Sequence, residues 1–239
     1  MTEAPLDPGF FERRAKARAE LDAIDPAKGG AETPADPLRR AWFETVYSRA
    51  DNDPARVPWA NLGPHPLART FVDFQARRLG GLRVLDVGCG LGDNAEYFSA
   101  AGAKVTAFDL VDGAVAWAWR RFPRSQVEYC AADLFAAPAE WRGRFDLVNE
   151  CYTLQALAPA LLPQALAALA SFLAPGGKLL LIARARDEDA EAKGPPWPLP
   201  PSIFVEAGRQ GLAPLAIEDV AATAGLSGRH WRALLRLAL

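Results

Sequence analysis

Histidine is nearly missing from this chain: His65 and His230 are the only two in 239 residues. That excludes a histidine-rich metal centre, and no zinc-ligand spacing surrounds the three cysteines, Cys89, Cys130 and Cys151. An odd cysteine number without paired spacing predicts reduced thiols in a cytoplasmic protein rather than a disulfide framework. Charge of one sign is not in excess either. The 27 basic and 29 acidic side chains leave a net charge of −2, which argues against a broad nucleic-acid-binding face. No apolar run approaches the ~20 residues of a membrane span. The first residues, with Glu3 and Asp7, do not read as a signal peptide. Internal repeats and heptad arrays are also missing, and nothing in the sequence speaks to the oligomeric state.

What is present is a chain that is 50% hydrophobic, enough for one substantial core. From residue 83 onward, strand-like and helix-like segments alternate. Strands are expected near 83–88, 104–109, 127–131, 145–151 and 178–184, and helices near 93–101, 112–121 and 160–173. This alternation favours a mostly parallel sheet covered on both faces. Two further segments, 212–220 and 229–239, lack a long intervening helix and suit an antiparallel pair that closes the sheet at seven strands. Pro175-Gly176-Gly177 reads as the turn into the fifth strand, and a proline-rich insert, 194–201, follows it.

The first 80 residues differ. A helix is expected over 10–24, with Phe10, Ala17, Leu21 and Ile24 on one face. A glycine- and proline-rich break follows at 28–37. Pro37 then starts a helix over 38–48 carrying Trp42, Phe43, Val46 and Tyr47. After a loop with five prolines and glycines, a helix from about 67 to 79 leads into the first strand.

Residues 84–92 read Val-Leu-Asp-Val-Gly-Cys-Gly-Leu-Gly: a strand running into a turn with glycine at 88, 90 and 92. Glycine accepts positive φ and lets the backbone approach a ligand closely. The dinucleotide fingerprint G-x-G-x-x-G needs a glycine where Asp93 stands, so an NAD-dependent oxidoreductase is disfavoured. An acid, Asp109, ends the second strand roughly 20 positions beyond the loop, where a ribose diol is held in such folds. A third acid, Asp133, follows the third strand.

The order Asp86, Gly88, Gly90, Gly92, Asp109, Asp133 resembles class I S-adenosylmethionine-dependent methyltransferases, over roughly residues 67–239. The resemblance implies a Rossmann-like, doubly wound α/β fold with S-adenosylmethionine as cofactor and S-adenosylhomocysteine as product. It implies that the three glycines line the methionine end and that Asp86 contacts the amino group. Asp109 then binds the ribose hydroxyls, Leu110 packs on adenine, and Asp133 with Leu134 reads the adenine edge; a helix N-cap is the structural alternative for Asp133. The segment Val57 to Pro66, preceded by Trp42 and Tyr47, resembles the N-terminal W…Y…P-W-D-x-G-x-P-x-P pattern of the thiopurine, thiol and halide methyltransferases, with Ala60 in place of the acid. Residues 1–66 are accordingly expected to form a helical lid, with Tyr47 and Trp59 covering the cofactor and 67–239 forming the cofactor-binding domain.

The acceptor side is read from position. Asn149, Glu150 and Tyr152 fall at the end of the fourth strand or just beyond it, beside the sheet's ligand-binding edge. Asn149 is assigned to the cofactor, and Trp59, Tyr152 and Trp197 to an apolar acceptor pocket. No catalytic triad is visible. His65, Glu150 and Tyr152 are the candidates for acid–base work; loop packing is the structural alternative for His65, and a hydrogen-bonding role for Glu150. Arg184 and Arg186 are expected to pair locally with Asp187-Glu188-Asp189. The expected partner is a small-molecule acceptor, with no nucleic acid and no membrane. A thiol leads, because a thiolate needs little help. An oxygen or nitrogen acceptor, and a cofactor-binding protein without turnover, are the alternatives.

Overall fold

Hydrophobic runs such as Val84–Val87 and Leu179–Ile182 are apolar at nearly every position, as strands covered on both faces must be. A computed structural model describes residues 7–29, 36, 38–223 and 225–238 and places these runs at the centre of one sheet. Its strands are β1 (Arg83–Val87), β2 (Lys104–Asp109), β3 (Glu128–Ala131), β4 (Phe145–Cys151), β5 (Leu173–Arg184), β6 (Leu212–Val220) and β7 (His230–Leu237). Their spatial order is β3-β2-β1-β4-β5-β7-β6. β1 to β5 are parallel, and β7 lies antiparallel between β5 and β6. The expected Rossmann-like, mostly parallel seven-stranded sheet with its antiparallel C-terminal pair is what the chain forms.

Alternation along the strands sorts the core into two layers. Leu85, Val148, Leu179 and Leu181 face α6 (Leu162–Phe172) and α7 (Ile203–Arg209), where Leu166, Leu169, Phe172 and Ile203 meet them. Val84, Leu147, Leu180 and Ile182 face the other way, onto Val72 of α3 (Pro66–Leu79) and Phe98 of α4 (Asp93–Ala100). Each such fully buried side chain contributes roughly 1.5–3 kcal/mol. A rigid sheet is the result, and the loops at the carboxyl ends of its strands inherit fixed positions.

The N-terminal segment adds a third cluster. α1 (Phe10–Asp22) and α2 (Arg40–Ala50) precede α3, and α5 (Asp112–Arg121) follows β2. Tyr47, Ala50, Val57 and Ala60 pack with Leu91 of the glycine loop and with Val111, Ala114 and Trp117 of α5. The N-terminal residues thus rest on the glycine loop itself.

Several boundaries differ from the sequence reading. α1 ends at Asp22. α2 starts at Arg40, because the Asp36 carboxylate accepts the N–H groups of Arg40 and Ala41 at 2.8 and 2.9 Å. That is a capping role taken by an acid; Pro37 lies outside the described residues, as does most of the 28–37 break. Pro175-Gly176-Gly177 is not a turn before β5 but part of it, where the β4–β5 register shifts and Gly176 takes φ +73°. The short α7, seven residues long, carries no strong periodic signal in the sequence.

Candidate active site

The loop Gly88–Gly92 leaves β1 where strand order reverses, between β2 on one side and β4 on the other, and ends at α4. Ligands of open α/β sheets bind at this switch point. All three glycines have positive φ, +63°, +54° and +88°. At Gly88 a Cβ collides with Thr153 Oγ1, and at Gly92 with the Tyr129 hydroxyl. Gly90 is different: a Cβ there lies 3.5 Å from the Tyr47 hydroxyl and 3.8 Å from Trp59 Nε1. The outer glycines are demanded by packing, and the middle one borders the space beneath two aromatic residues. Asp93, which breaks the dinucleotide fingerprint, pairs with both terminal nitrogens of Arg121 at 2.8 Å, and Arg121 also donates to Leu91 O at 2.6 Å. That pair fixes the loop between α4 and α5.

A cavity of about 520 Å³ opens over the loop. Asp109 and Leu110 line it, with Gly88 and Gly90, Leu134, Tyr47, Trp59, His65 and Tyr152. Asp109 Oδ2 accepts Gly90 N–H at 2.9 Å and Oδ1 accepts Val111 N–H at 3.0 Å. Burial raises its pKa despite these bonds. A carboxylate oxygen has two lone pairs, so each retains capacity toward the cavity.

Other expected contacts lie behind the wall. Asp86 and Asn149 are register partners on β1 and β4, and Asn149 Nδ2 donates to Asp86 Oδ1 at 2.6 Å. Asp86 Oδ2 and Asn149 Oδ1 are buried without a hydrogen-bond partner among the described residues, and burial pushes the Asp86 carboxyl up to about 7. Asp133 does not line the cavity, although Ala132 and Leu134 do. Its Oδ1 accepts Phe135 N–H at 2.8 Å, and Arg40 stands 3.7 Å from Oδ2. This is an Asx turn in place of the helix N-cap considered for it. Gly92 likewise stands outside the lining.

Above the loop, Trp59 Nε1 donates to the Tyr47 hydroxyl at 3.1 Å, and the rings meet edge to face at 5.8 Å. On the far side Pro195 and Pro196 line the cavity, but Trp197 does not: its ring packs back on Gly194 and its N–H donates to Gln155 O at 2.7 Å. Arg39 joins the two covers. One of its nitrogens reaches both Asp25 oxygens at 2.6 Å, while the guanidinium lies 5.5 Å from the Trp42 ring and 6.0 Å from that of Trp197. Arg184 donates to Ser227, and Arg186 donates to backbone carbonyls including Pro198 O. Asp187 is paired instead by Arg229, so the local salt bridges expected for Arg184 and Arg186 do not form.

Glu150 is fully buried, its Oε1 accepting Leu154 N–H at 2.8 Å and its Oε2 unpartnered among the described residues. Burial pushes it up to about 8, which favours the protonated carboxyl at neutral pH, and it does not line the cavity. Without access to the cavity it cannot reach an acceptor as a general base. Tyr152 and His65 do line the cavity, and the structure adds His230 to them. The Tyr152 hydroxyl lies 2.9 Å from His65 Nε2 and 2.5 Å from His230 Nε2. No spacing in sequence links positions 65, 152 and 230. Only the pairing of β7 with β5, which sets His230 opposite Arg184, brings them together.

Comparison with known proteins gives this site a context. Residues 84–177 match the family model described as a methyltransferase domain. The ubiquinone biosynthesis O-methyltransferase of Xanthomonas axonopodis pv. citri is 39% identical over 132 residues, which are 52% of this chain and 54% of that protein. The chain spans about a third to about half of the length of the curated relatives it matches. Among solved structures, the 1,6-didemethyltoxoflavin-N1-methyltransferase of Burkholderia thailandensis, with bound 1,6-didemethyltoxoflavin and S-adenosylhomocysteine, superposes with a TM-score of 0.68 at 19% identity, covering 87% of this chain and 92% of that one. The N-methyltransferase NodS of Bradyrhizobium japonicum, with S-adenosylhomocysteine, gives 0.59 at 21% identity, covering 81% and 97%. At these identities the structural likeness establishes the shared fold.

Proposed function

We propose that this chain transfers a methyl group from S-adenosylmethionine to a small-molecule acceptor. One observation carries the reading: the loop Asp86–Gly92, with three left-handed glycines, is bonded through Gly90 N–H to the acid that ends β2, inside the segment matching a methyltransferase domain. When bound, S-adenosylmethionine supplies an electrophilic methyl group on a sulfonium. The residues fit such a group. Asp109 offers lone pairs to a ribose diol, and Leu110 and Leu134 offer apolar surface to adenine. Tyr47 and Trp59 line the cavity beside Gly90 and supply aromatic cover over the methionine end. The unpartnered Asp86 Oδ2 and Asn149 Oδ1 leave buried acceptor capacity under the loop for an ammonium group, reached through the loop or a water. Asp133 acts indirectly in this reading, by fixing the backbone at Leu134.

Methyl transfer is an in-line displacement, so alignment and exclusion of water supply much of the catalysis. Residues 1–66 serve as the lid, a role supported by the packing of Tyr47 and Ala60 on Leu91. The thiol acceptor suggested by the N-terminal pattern has no specific support beyond that pattern, and the relatives are named as O- and N-methyltransferases. The polar hydroxyl–imidazole group on the cavity wall favours an oxygen or nitrogen acceptor with a proton to lose; a thiol is the second reading.

Calorimetry is expected to show binding of S-adenosylmethionine and S-adenosylhomocysteine and no comparable binding of NAD or NADP; a preference for a dinucleotide overturns the proposal. Labelled S-adenosylmethionine, offered with phenols, amines and thiols, is expected to yield a methylated product. Cofactor is further expected to slow hydrogen exchange across 38–62, through the contacts of Tyr47 and Trp59. Exchange there that ignores cofactor assigns this segment a role other than a lid.

A further inference from the structure

Tyr152 holds φ +73°, a left-handed conformation that bulky residues rarely take and that the surrounding structure must enforce. That backbone position sets its hydroxyl between the chain's two histidines, 2.9 Å from His65 Nε2 and 2.5 Å from His230 Nε2. The direction of the chain follows from the outer partners. His230 Nδ1 faces Gly228 O at 2.9 Å, and a carbonyl only accepts, so Nδ1 carries the proton and Nε2 is bare. His65 Nδ1 accepts Leu67 N–H at 3.3 Å, so the His65 proton is on Nε2. His65 therefore donates to the Tyr152 oxygen, and Tyr152 donates to His230.

We propose that Tyr152 and His230 form a proton relay for a hydroxyl-bearing methyl acceptor, an inference that rests on the methyltransferase reading above. Tyr152 spends its only proton on His230 and receives one from His65. A further cavity group that bonds its oxygen must therefore be a donor. An acceptor hydroxyl fits that demand. As its oxygen forms the new bond to the methyl carbon, its proton passes to Tyr152 Oη, and the Tyr152 proton passes to His230 Nε2. The bond from carbon to sulfur breaks with its electron pair going to sulfur, so the positive charge lost by the sulfonium reappears as the His230 imidazolium. After product leaves, the imidazolium returns its proton through Tyr152 to solvent. Tyr152 touches the acceptor and is the catalytic residue; His65 and His230 are positioning residues that act through it.

The electrostatics agree with this division. Burial and the neighbouring His230 hold His65 down to about 3, so it stays neutral and remains a donor. Burial also holds His230 below its ordinary value, leaving Nε2 free to take a proton at neutral pH. Burial raises the Tyr152 phenol, which keeps the proton on Tyr152 until a stronger demand is made. Arg184, opposite His230 on β5, adds a like charge that favours the prompt loss of the proton His230 gains.

The test uses Tyr152→Phe and His230→Gln with a series of phenols of graded acidity. Both variants are expected to lower kcat by about 10²- to 10⁴-fold for weakly acidic phenols, with KM little changed. The deficit shrinks as the phenol becomes more acidic and brings its own ionised oxygen. A purely structural role predicts the same loss across the series, and that result overturns the relay, as does failure of the wild-type protein to methylate any phenol. Nitrogen NMR of the two histidines supplies a readout independent of turnover. It is expected to find His230 protonated on Nδ1 and His65 on Nε2, with both signals displaced in Tyr152→Phe; the opposite tautomers overturn the relay. Calorimetry with S-adenosylhomocysteine separates the two levels: no binding by the wild-type protein sinks the methyltransferase reading, whereas binding with a flat phenol series sinks the relay alone.

Discussion

Asp109→Ala is expected to weaken binding of S-adenosylmethionine by about 1–3 kcal/mol, since a buried ribose loses a charged acceptor. The substitution acts twice. It removes lone pairs from the cavity, and it unties Gly90 N–H and Val111 N–H, the two backbone donors that Asp109 now satisfies. An unpartnered N–H at Gly90, in the middle of the loop, loosens the backbone that must hold the methionine end. The two contributions are separable. A cofactor analogue lacking the ribose 2′-hydroxyl is expected to lose less affinity on the same substitution, because one of the interactions being removed is already missing. Unchanged affinity for S-adenosylmethionine in a folded Asp109→Ala protein shows that the ribose lies elsewhere. Equal losses for the two ligands assign Asp109 to the loop alone.

That dual role marks the limit of what the sequence discloses. Strand positions, the glycine loop and the acid that ends β2 were legible because they rest on local requirements: runs apolar at nearly every position, and glycines where φ must be positive. Gly88 and Gly92 illustrate the gap. They are legible as a motif, but their partners, Thr153 and Tyr129, are remote in the chain and emerge only when β4 and β3 are placed. Trp197 reads as an acceptor contact because loops of this kind often carry function; its ring is instead held on Gly194, and the prolines before it take the wall. Glu150 reads as a candidate base from its position near the carboxyl end of β4, yet strand alternation turns its side chain into the protein, toward Leu154 N–H. His230 carried no signal beyond its rarity. Its meeting with Tyr152 depends on β7 inserting beside β5, a pairing between segments some 50 residues apart that no local pattern encodes.

Glu150→Gln is expected to change how stability depends on pH, with an effect on the order of 2–4 kcal/mol between pH 5 and 8. The folded protein holds this carboxyl up to about 8, through burial that its bonds to the backbone offset only in part, whereas in the unfolded chain it titrates near 4.5. A raised folded-state value means that the native protein binds the proton more tightly than the unfolded one. Stability from this group is therefore full below about pH 4.5 and is lost as pH rises through about 8. Glutamine keeps a carbonyl oxygen for Leu154 N–H but has no proton to lose, so this part of the decline disappears. The variant also places an amide N–H₂ where Oε2 has no partner, a fixed cost that lowers its stability equally at every pH. Slope, not absolute stability, is thus the discriminating quantity. Denaturant unfolding at pH 5, 6.5 and 8 is expected to show a shallower decline for Glu150→Gln than for the wild type. Asp86, held up to about 7 beside Asn149, supplies the slope that remains, and cofactor binding shrinks that remainder if its ammonium group satisfies the Asp86 charge. Parallel lines for the two proteins would mean that Glu150 is already ionised in the native state, and that a counter-charge or water reaches it from the cavity side.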